Sequence, residues 1–176
     1  MPELVVSNQM QDLLHRDADI AVRMSEPLQD ALIAKRIGSV TLGLYASEDY
    51  LQHYGTPPDL ASLAGHHLIG FDQGTPFIRA LTEKFPFWQH AGFALRTDND
   101  LAHLAAIRCG YGIGVCQTNL ARANAGLVHL LPQSFALALP VWLVMHEDLR
   151  GSQRYKIAFE QLALMLDEYV TPHHCL

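Results

Sequence analysis

Side chains able to hold a small ligand recur where strand-like runs pass into helix-like ones. They are Ser7 with Asn8, Arg23, Ser47, Phe71 with Asp72, the run Thr97, Asp98 and Asn99, Gln117 with Thr118, and His146. Hydroxyls, amides, one guanidinium and an aromatic ring suit a small organic acid held by several hydrogen bonds. In open α/β sheets such ligands collect at the C-terminal ends of strands, where helix N-termini present free N–H groups to anions. Arg23, Asn99 and Thr118 are expected to do the holding, the guanidinium gripping a carboxylate through two parallel hydrogen bonds. A second role competes at Ser7, Asn8, Ser47, Asp98 and Thr118, which are also ordinary helix N-caps, a duty that needs no ligand. Arg23 has the alternative of a solvated or ion-paired side chain.

Catalysis and metal binding find less support. No G-x-S-x-G, P-loop or G-x-G-x-x-G occurs. The glycines of Gly110-Tyr111-Gly112-Ile113-Gly114 lie between a helix-like and a strand-like run, the context of a C-cap and tight turn. Among ten histidines, the adjacent pairs His66-His67 and His173-His174 point to opposite faces of extended chain, without the i, i+4 spacing or Cys pair of a closed zinc site. No metal or cofactor is expected. Asp72 is a lone carboxylate with no recognisable nucleophile and base beside it. Cys109, Cys116 and Cys175, without CxxC spacing, suit reduced thiols in a reducing compartment.

A chain of 176 residues that is 49% hydrophobic buries one substantial core or two small ones. Its apolar runs fall short of the roughly 20 residues that span a bilayer, and it shows no basic and apolar leader, so no membrane partner and a cytoplasmic location are expected. The net charge of −6, with 12 scattered Lys and Arg, offers no stripe for tracking phosphates. DNA binding by this chain itself is not expected.

The elements that must position these residues alternate. Strand-like runs are 4–7 (LVVS), 19–24 (DIAVRM), 40–46 (VTLGLYA), 67–71 (HLIGF), 93–97 (FALRT), 113–116 (IGVC), 127–131 (LVHLL) and 140–146 (PVWLVMH). Between them, helices are expected over 9–16, from Ser47 to about Gly55, briefly after Pro57-Pro58-Asp59, over 99–109 with Leu101, Leu104 and Ala105 inward, and over 118–125. Residues 32–37 read as irregular, and 77–88 as ambiguous because Pro86 interrupts it. Tyr155, Ala158, Phe159, Leu162, Met165, Leu166 and Tyr169 share one face of a final amphipathic helix. The matched apolar strands 40–46 and 140–146, far apart with βα units between, are expected to carry the chain out of one lobe and back. Residues 1–44 with 141–176 then form lobe I, 45–140 form lobe II, and a ligand sits between them.

The run Asp17-Ala18-Asp19-Ile20-Ala21-Val22-Arg23-Met24 resembles the D-x-D-I-A-x-R element in the effector-binding domain of LysR-type transcriptional regulators. Four further pieces agree in order: 44–51 (LYASEDYL), 57–68 (PPDLASLAGHHL), 110–115 (GYGIGV) and 127–132 (LVHLLP). The resemblance implies an α/β, two-lobed domain like the type II periplasmic binding proteins, its lobes joined by two crossing strands. It also implies a small organic effector, a homodimer, and DNA contact only through an N-terminal helix-turn-helix that this chain lacks. A first βα unit that opens the domain in the family is missing, so the chain reads as a fragment or a late-started product. Apolar surface left open by that loss also favours a dimer. Beside this non-enzymatic sensor stand two alternatives on the same fold: a stand-alone solute-binding module and a small dehydratase-like enzyme acting on a cyclic carboxylic acid.

Overall fold

The computed structural model describes residues 3–7, 18–27, 29, 31–90 and 92–171; Asn8 and the helix expected over 9–16 lie outside the described residues. The chain divides into two compact units, Met1–Thr41 with Ala138–Leu176, and Leu42–Leu137. It passes between them inside two long strands, β2 (Leu32–Ser47) and β7 (Leu137–His146).

In the first unit β1 (Ile20–Arg23) pairs antiparallel with β7, Ile20 opposite Met145 and Arg23 opposite Trp142. β7 lies between β1 and β2 in the strand order. After a 3-10 turn (Glu147–Gly151), α5 (Gln153–Val170) lays Phe159 and Ala163 on Leu143 and Met145, with Ile20, Ile33, Ile37, Leu162 and Leu166 around them. The run LVVS is not a strand: residues 3–7 are irregular, and Leu4 is 89% exposed. Apolar composition alone does not make a strand without a partner to complete its hydrogen bonds. Residues 32–37 correct the expectation in the other direction. Lys35 and Arg36 break the apolar alternation, yet this stretch is strand because β7 lies beside it and Glu147 N donates to Ala31 O at 3.0 Å.

The second unit holds α1 (Glu48–Tyr54), a 3-10 turn (Ala61–Gly65), β3 (Leu68–Gly70), α2 (Pro76–Lys84) with a 3-10 turn after it (Pro86–His90), and β4 (Phe93–Arg96). It continues with α3 (Asp100–Arg108), β5 (Gly114–Gln117), α4 (Thr118–Arg122) and β6 (Leu127–Leu130). β5 and β6 flank the second half of β2, both antiparallel to it. β3 and β4 are parallel, and Leu68 bridges to Ile113 so that β3 also runs parallel to β5. The ambiguous stretch 77–88 resolves into helix up to Lys84 because the residue before Pro86 is disfavoured in helical conformation. Gly55 closes α1 at φ 80°, a left-handed conformation that glycine adopts without strain. Helix α4 is shorter than expected, five residues ending before the turn at Gly126.

Two inward faces also differ from expectation. In α3 the buried residues are His103 and Ile107, while Leu101 is 62% exposed. In α5 Met165 is 66% exposed. On both helices the neighbouring sheet selects the face, and an apolar residue at the margin of a periodic stripe is left in solvent.

Candidate functional site

β3 and β4 run parallel, the Leu68–Ile113 bridge sets β3 parallel to the start of β5, and at the ends of these three strands or just after them lie seven of the expected site residues. Phe71, half-buried, stacks on the His103 ring at 5.0 Å and meets Phe77 edge-on at 6.1 Å. Asp98 Oδ1 accepts hydrogen bonds from Asp72 N (3.0 Å) and Gln73 N (3.1 Å), tying the β3 end to the β4 end, while Thr97 N donates to Gly70 O. Thr97 Oγ1 accepts from Asn99 N, and Asn99 Oδ1 accepts from Ala102 N as the N-cap of α3. Asp98 and Asn99 therefore each use a side-chain oxygen as acceptor for the chain's own N–H groups, which builds the loops. The Asp72 side chain is exposed at the same place.

The end of β5 differs. Gln117, at the N-cap position of α4, makes no capping bond with its side chain, whereas Ser47, Thr75 and Asn99 cap α1, α2 and α3. Thr118 Oγ1 is buried and has no hydrogen-bond partner among the described residues. Its neighbour is the Tyr45 hydroxyl: burial pushes the Tyr45 pKa up, and the Thr118 hydroxyl pulls the other way. With no hydrogen-bond partner among the described residues, the Thr118 hydroxyl keeps a donor to give. Tyr45 itself is fixed by stacking on His129 at 4.6 Å and 11°. Gly43 makes this stack possible, because a Cβ there would collide with His129 Nε2.

Ser47 and His146 lie at the opposite ends of their strand pairs from Gln117 and Arg23 respectively. β2 runs antiparallel to β5 with Leu42 opposite Gln117, so Ser47 lies five residues along β2 from Gln117, about 17 Å at the usual rise of a strand. There it is buried and caps α1 through Tyr50 N at 3.1 Å. In the first unit β7 runs antiparallel to β1 with Trp142 opposite Arg23, so His146 lies at the far end of the pair, about 13 Å from Arg23. His146 Nδ1 accepts from Asp148 N at 3.2 Å and lies 3.5 Å from the Asp148 carboxylate, capping the 3-10 turn. The rule that ligands gather at strand C-termini holds for parallel strands. Ser47 and His146 end the two strands along which the chain passes between units, which run antiparallel to β5 and β1. Arg23 is half-buried at the end of β1, and Ser7 is exposed in the irregular segment.

His103 and Tyr45 were not among the residues singled out from the sequence. His103 is 2% exposed, both ring nitrogens lack hydrogen-bond partners among the described residues, and burial pulls its pKa down to about 4. A histidine inside an apolar helical stripe was the available signal. The described residues hold no group of three His, Cys, Asp or Glu side chains placed for a metal ion, and no described helix is long and apolar enough to cross a membrane.

Comparison with known proteins agrees with this architecture. The regulatory domain of CrgA, a LysR-type transcriptional regulator from Neisseria meningitidis, superposes with a TM-score of 0.75 at 21% identity, over 91% of this chain and 81% of that one. The regulatory domain of AphB from Vibrio vulnificus gives 0.65 at 16% identity, over 93% and 83%. These are LysR regulatory domains with the periplasmic-binding-protein-like fold, which this chain shares. In sequence, the HTH-type transcriptional regulator YhjC of Escherichia coli is 26% identical over 170 residues, which is 90% of this chain and 56% of YhjC, so the chain spans little more than half of that relative. The family described as LysR substrate binding domain matches residues 2–165. With both sequence and architecture in agreement, the chain belongs to the LysR substrate-binding domain family.

Proposed function

We propose that the chain is the effector-sensing part of a LysR-type transcriptional regulator, taking up a small organic anion and passing its presence to a DNA-binding domain carried elsewhere. In this reading it is not an enzyme, it works as a dimer in the cytoplasm, and it does not itself grip DNA. The observation that carries the ligand reading is Thr118 Oγ1. A buried hydroxyl without a partner costs about 1–3 kcal/mol, and a ligand acceptor at the end of β5 removes that cost. Phe71 supplies an aromatic wall at the end of β3, and Asp98 holds the 71–73 loop in place from the end of β4. Asn99 acts by fixing the first turn of α3. Arg23, at the end of β1, is the proposed grip on the carboxylate.

Calorimetry of the chain against a panel of aromatic and aliphatic carboxylates tests this. One ligand of the panel binds, and Thr118→Val, which keeps shape and removes the hydroxyl, weakens it about tenfold, the usual worth of one hydrogen bond to a charged group being 1.5–3 kcal/mol. Arg23→Ala weakens it by a similar or larger factor. Unchanged affinity in Thr118→Val removes this site, and a panel with no binder removes the anion.

A further inference from the structure

The indole of Trp142 carries a donor that nothing answers. Its Nε1 is closed off from solvent and has no hydrogen-bond partner among the described residues, although the side chain as a whole is only half-buried. An indole N–H donates and cannot accept, and a buried one usually has a partner.

Trp142 stands on β7 directly opposite Arg23 of β1. Directly opposed residues of an antiparallel pair project from the same face, with Cβ atoms about 4.5–5.5 Å apart. Leu143 and Met145 turn toward α5, so alternation along β7 puts Trp142 and Val144 on the other face, and alternation along β1 puts Ala21 and Arg23 there with them. Ala21 and Val144 have no polar side-chain atoms. The two side chains of this strand pair that hydrogen-bond on that face are therefore a guanidinium and an indole, and both only donate. Adjoining donors of this kind suit a group with two adjoining acceptors, which is what a carboxylate is.

We propose that Trp142 is a second ligand-holding residue of the first unit: its Nε1–H donates to one oxygen of the carboxylate whose other oxygen Arg23 holds. The inference deepens the organic-anion reading of the chain and rests on it. Solvent reaches the ring but not Nε1, so uptake includes the swing of a neighbouring side chain, and Arg23, directly opposite, is the long flexible one. The pair also sets specificity. A carboxylate offers an acceptor to each donor, whereas the primary amide of the same acid offers one oxygen and turns its NH2 group toward the other donor.

The test is a magnetic-resonance titration of the intact chain, carrying isotope-labelled tryptophan, with benzoate and propionate, one aromatic and one aliphatic acid, and with benzamide and propionamide. The chain has two tryptophans, so two indole N–H signals are expected. They are assigned by the loss of one in Trp142→Phe or, should circular dichroism show that variant unfolded, in Trp88→Phe. As an acid binds, the Trp142 signal moves downfield while that of Trp88, inside the ring cluster with Phe135, stays. Trp142→Phe keeps a ring and removes the donor, so it weakens the acid about tenfold and the amide by less than about threefold. Packing alone would weaken both alike. The proposal is overturned by an acid that binds without moving the Trp142 signal, or by equal weakening of acid and amide in Trp142→Phe. If neither acid binds, the carboxylate reading itself falls and this inference with it.

Discussion

The second unit holds more of the fully buried large side chains among the described residues than the first, whose burial centres on β7 and α5. Leu44, Leu63, Ile69, Leu81, Ile107, Ile113 and Phe135 are all fully buried in the second unit. Phe85, Trp88 and Phe135 pack there as a ring cluster, Phe85 and Phe135 only 4.4 Å apart. In the first unit the contacts between α5 and β7 rest on Leu143, Met145, Phe159 and Ala163. The contrast does not extend to polar groups. Buried groups without partners among the described residues occur in both units, at Thr118 and His103 in the second and at Trp142 Nε1, on the strand position opposite Arg23, in the first.

The largest effect expected from probing this contrast is in the ring cluster. Phe135→Ala should lower stability by about 4–5 kcal/mol and Phe159→Ala by about 3, because the first site is enclosed on all sides and the second can relax toward solvent. Urea titration followed by circular dichroism measures both, and equal losses erase the distinction between the units.

Next comes acid. His103 has a folded pKa of about 4 against an ordinary 6.5, so the unfolded chain takes up a proton that the folded one refuses. Stability from this group is complete above about pH 6.5 and is lost as the pH falls toward 4, a total of about 3 kcal/mol at 1.36 kcal/mol per pK unit. His66 and His129, also held low by burial, add in the same direction. Denaturation midpoints at pH 7.5, 5.5 and 4.5 follow this slope, and His103→Leu should flatten it while changing stability at pH 7.5 by less than about 1.5 kcal/mol. A slope that survives in His103→Leu assigns the acid sensitivity elsewhere.

Glycine replacements make a smaller, paired comparison. At Gly114 a Cβ would lie 2.6 Å from His103 Nε2 and 2.9 Å from Ile107, both enclosed, so Gly114→Ala should cost about 1–3 kcal/mol. At Gly38 in the first unit the obstacle is Val170 Cγ2 at 2.7 Å, the end of a side chain in the last turn of α5. Gly38→Ala should cost under about 1 kcal/mol, because that turn can give way. Tm shifts for the two variants check the order, and a larger loss at Gly38 would show the first unit to be the more tightly packed.

Much of the candidate site was legible because loop chemistry is local. Ser47 announces a helix start by residue type and caps as expected, whereas the cap expected at Asp98 falls on Asn99. Asp98 instead ties two strand ends 26 residues apart, a role that depends on β3 and β4 lying side by side. His103 was hidden within an amphipathic stripe in which only the packing against Phe71 and Gly114 decides the inward face.

The sequence by itself determined most of the alternation of strands and helices, the cap at Ser47 and the family, since each depends on residue types within a few positions or on motifs in order. Only the tertiary structure decided which strand ends come together. Strand direction relative to a neighbour is a property of the pair, so Ser47 and His146, sited by the same local signs as Thr118, were carried to the opposite ends of their sheets. The same holds for LVVS and for residues 32–37: the apolar run without a partner stays irregular, and the charged run beside β7 becomes strand, because backbone hydrogen bonds are completed by the neighbouring chain and not by composition.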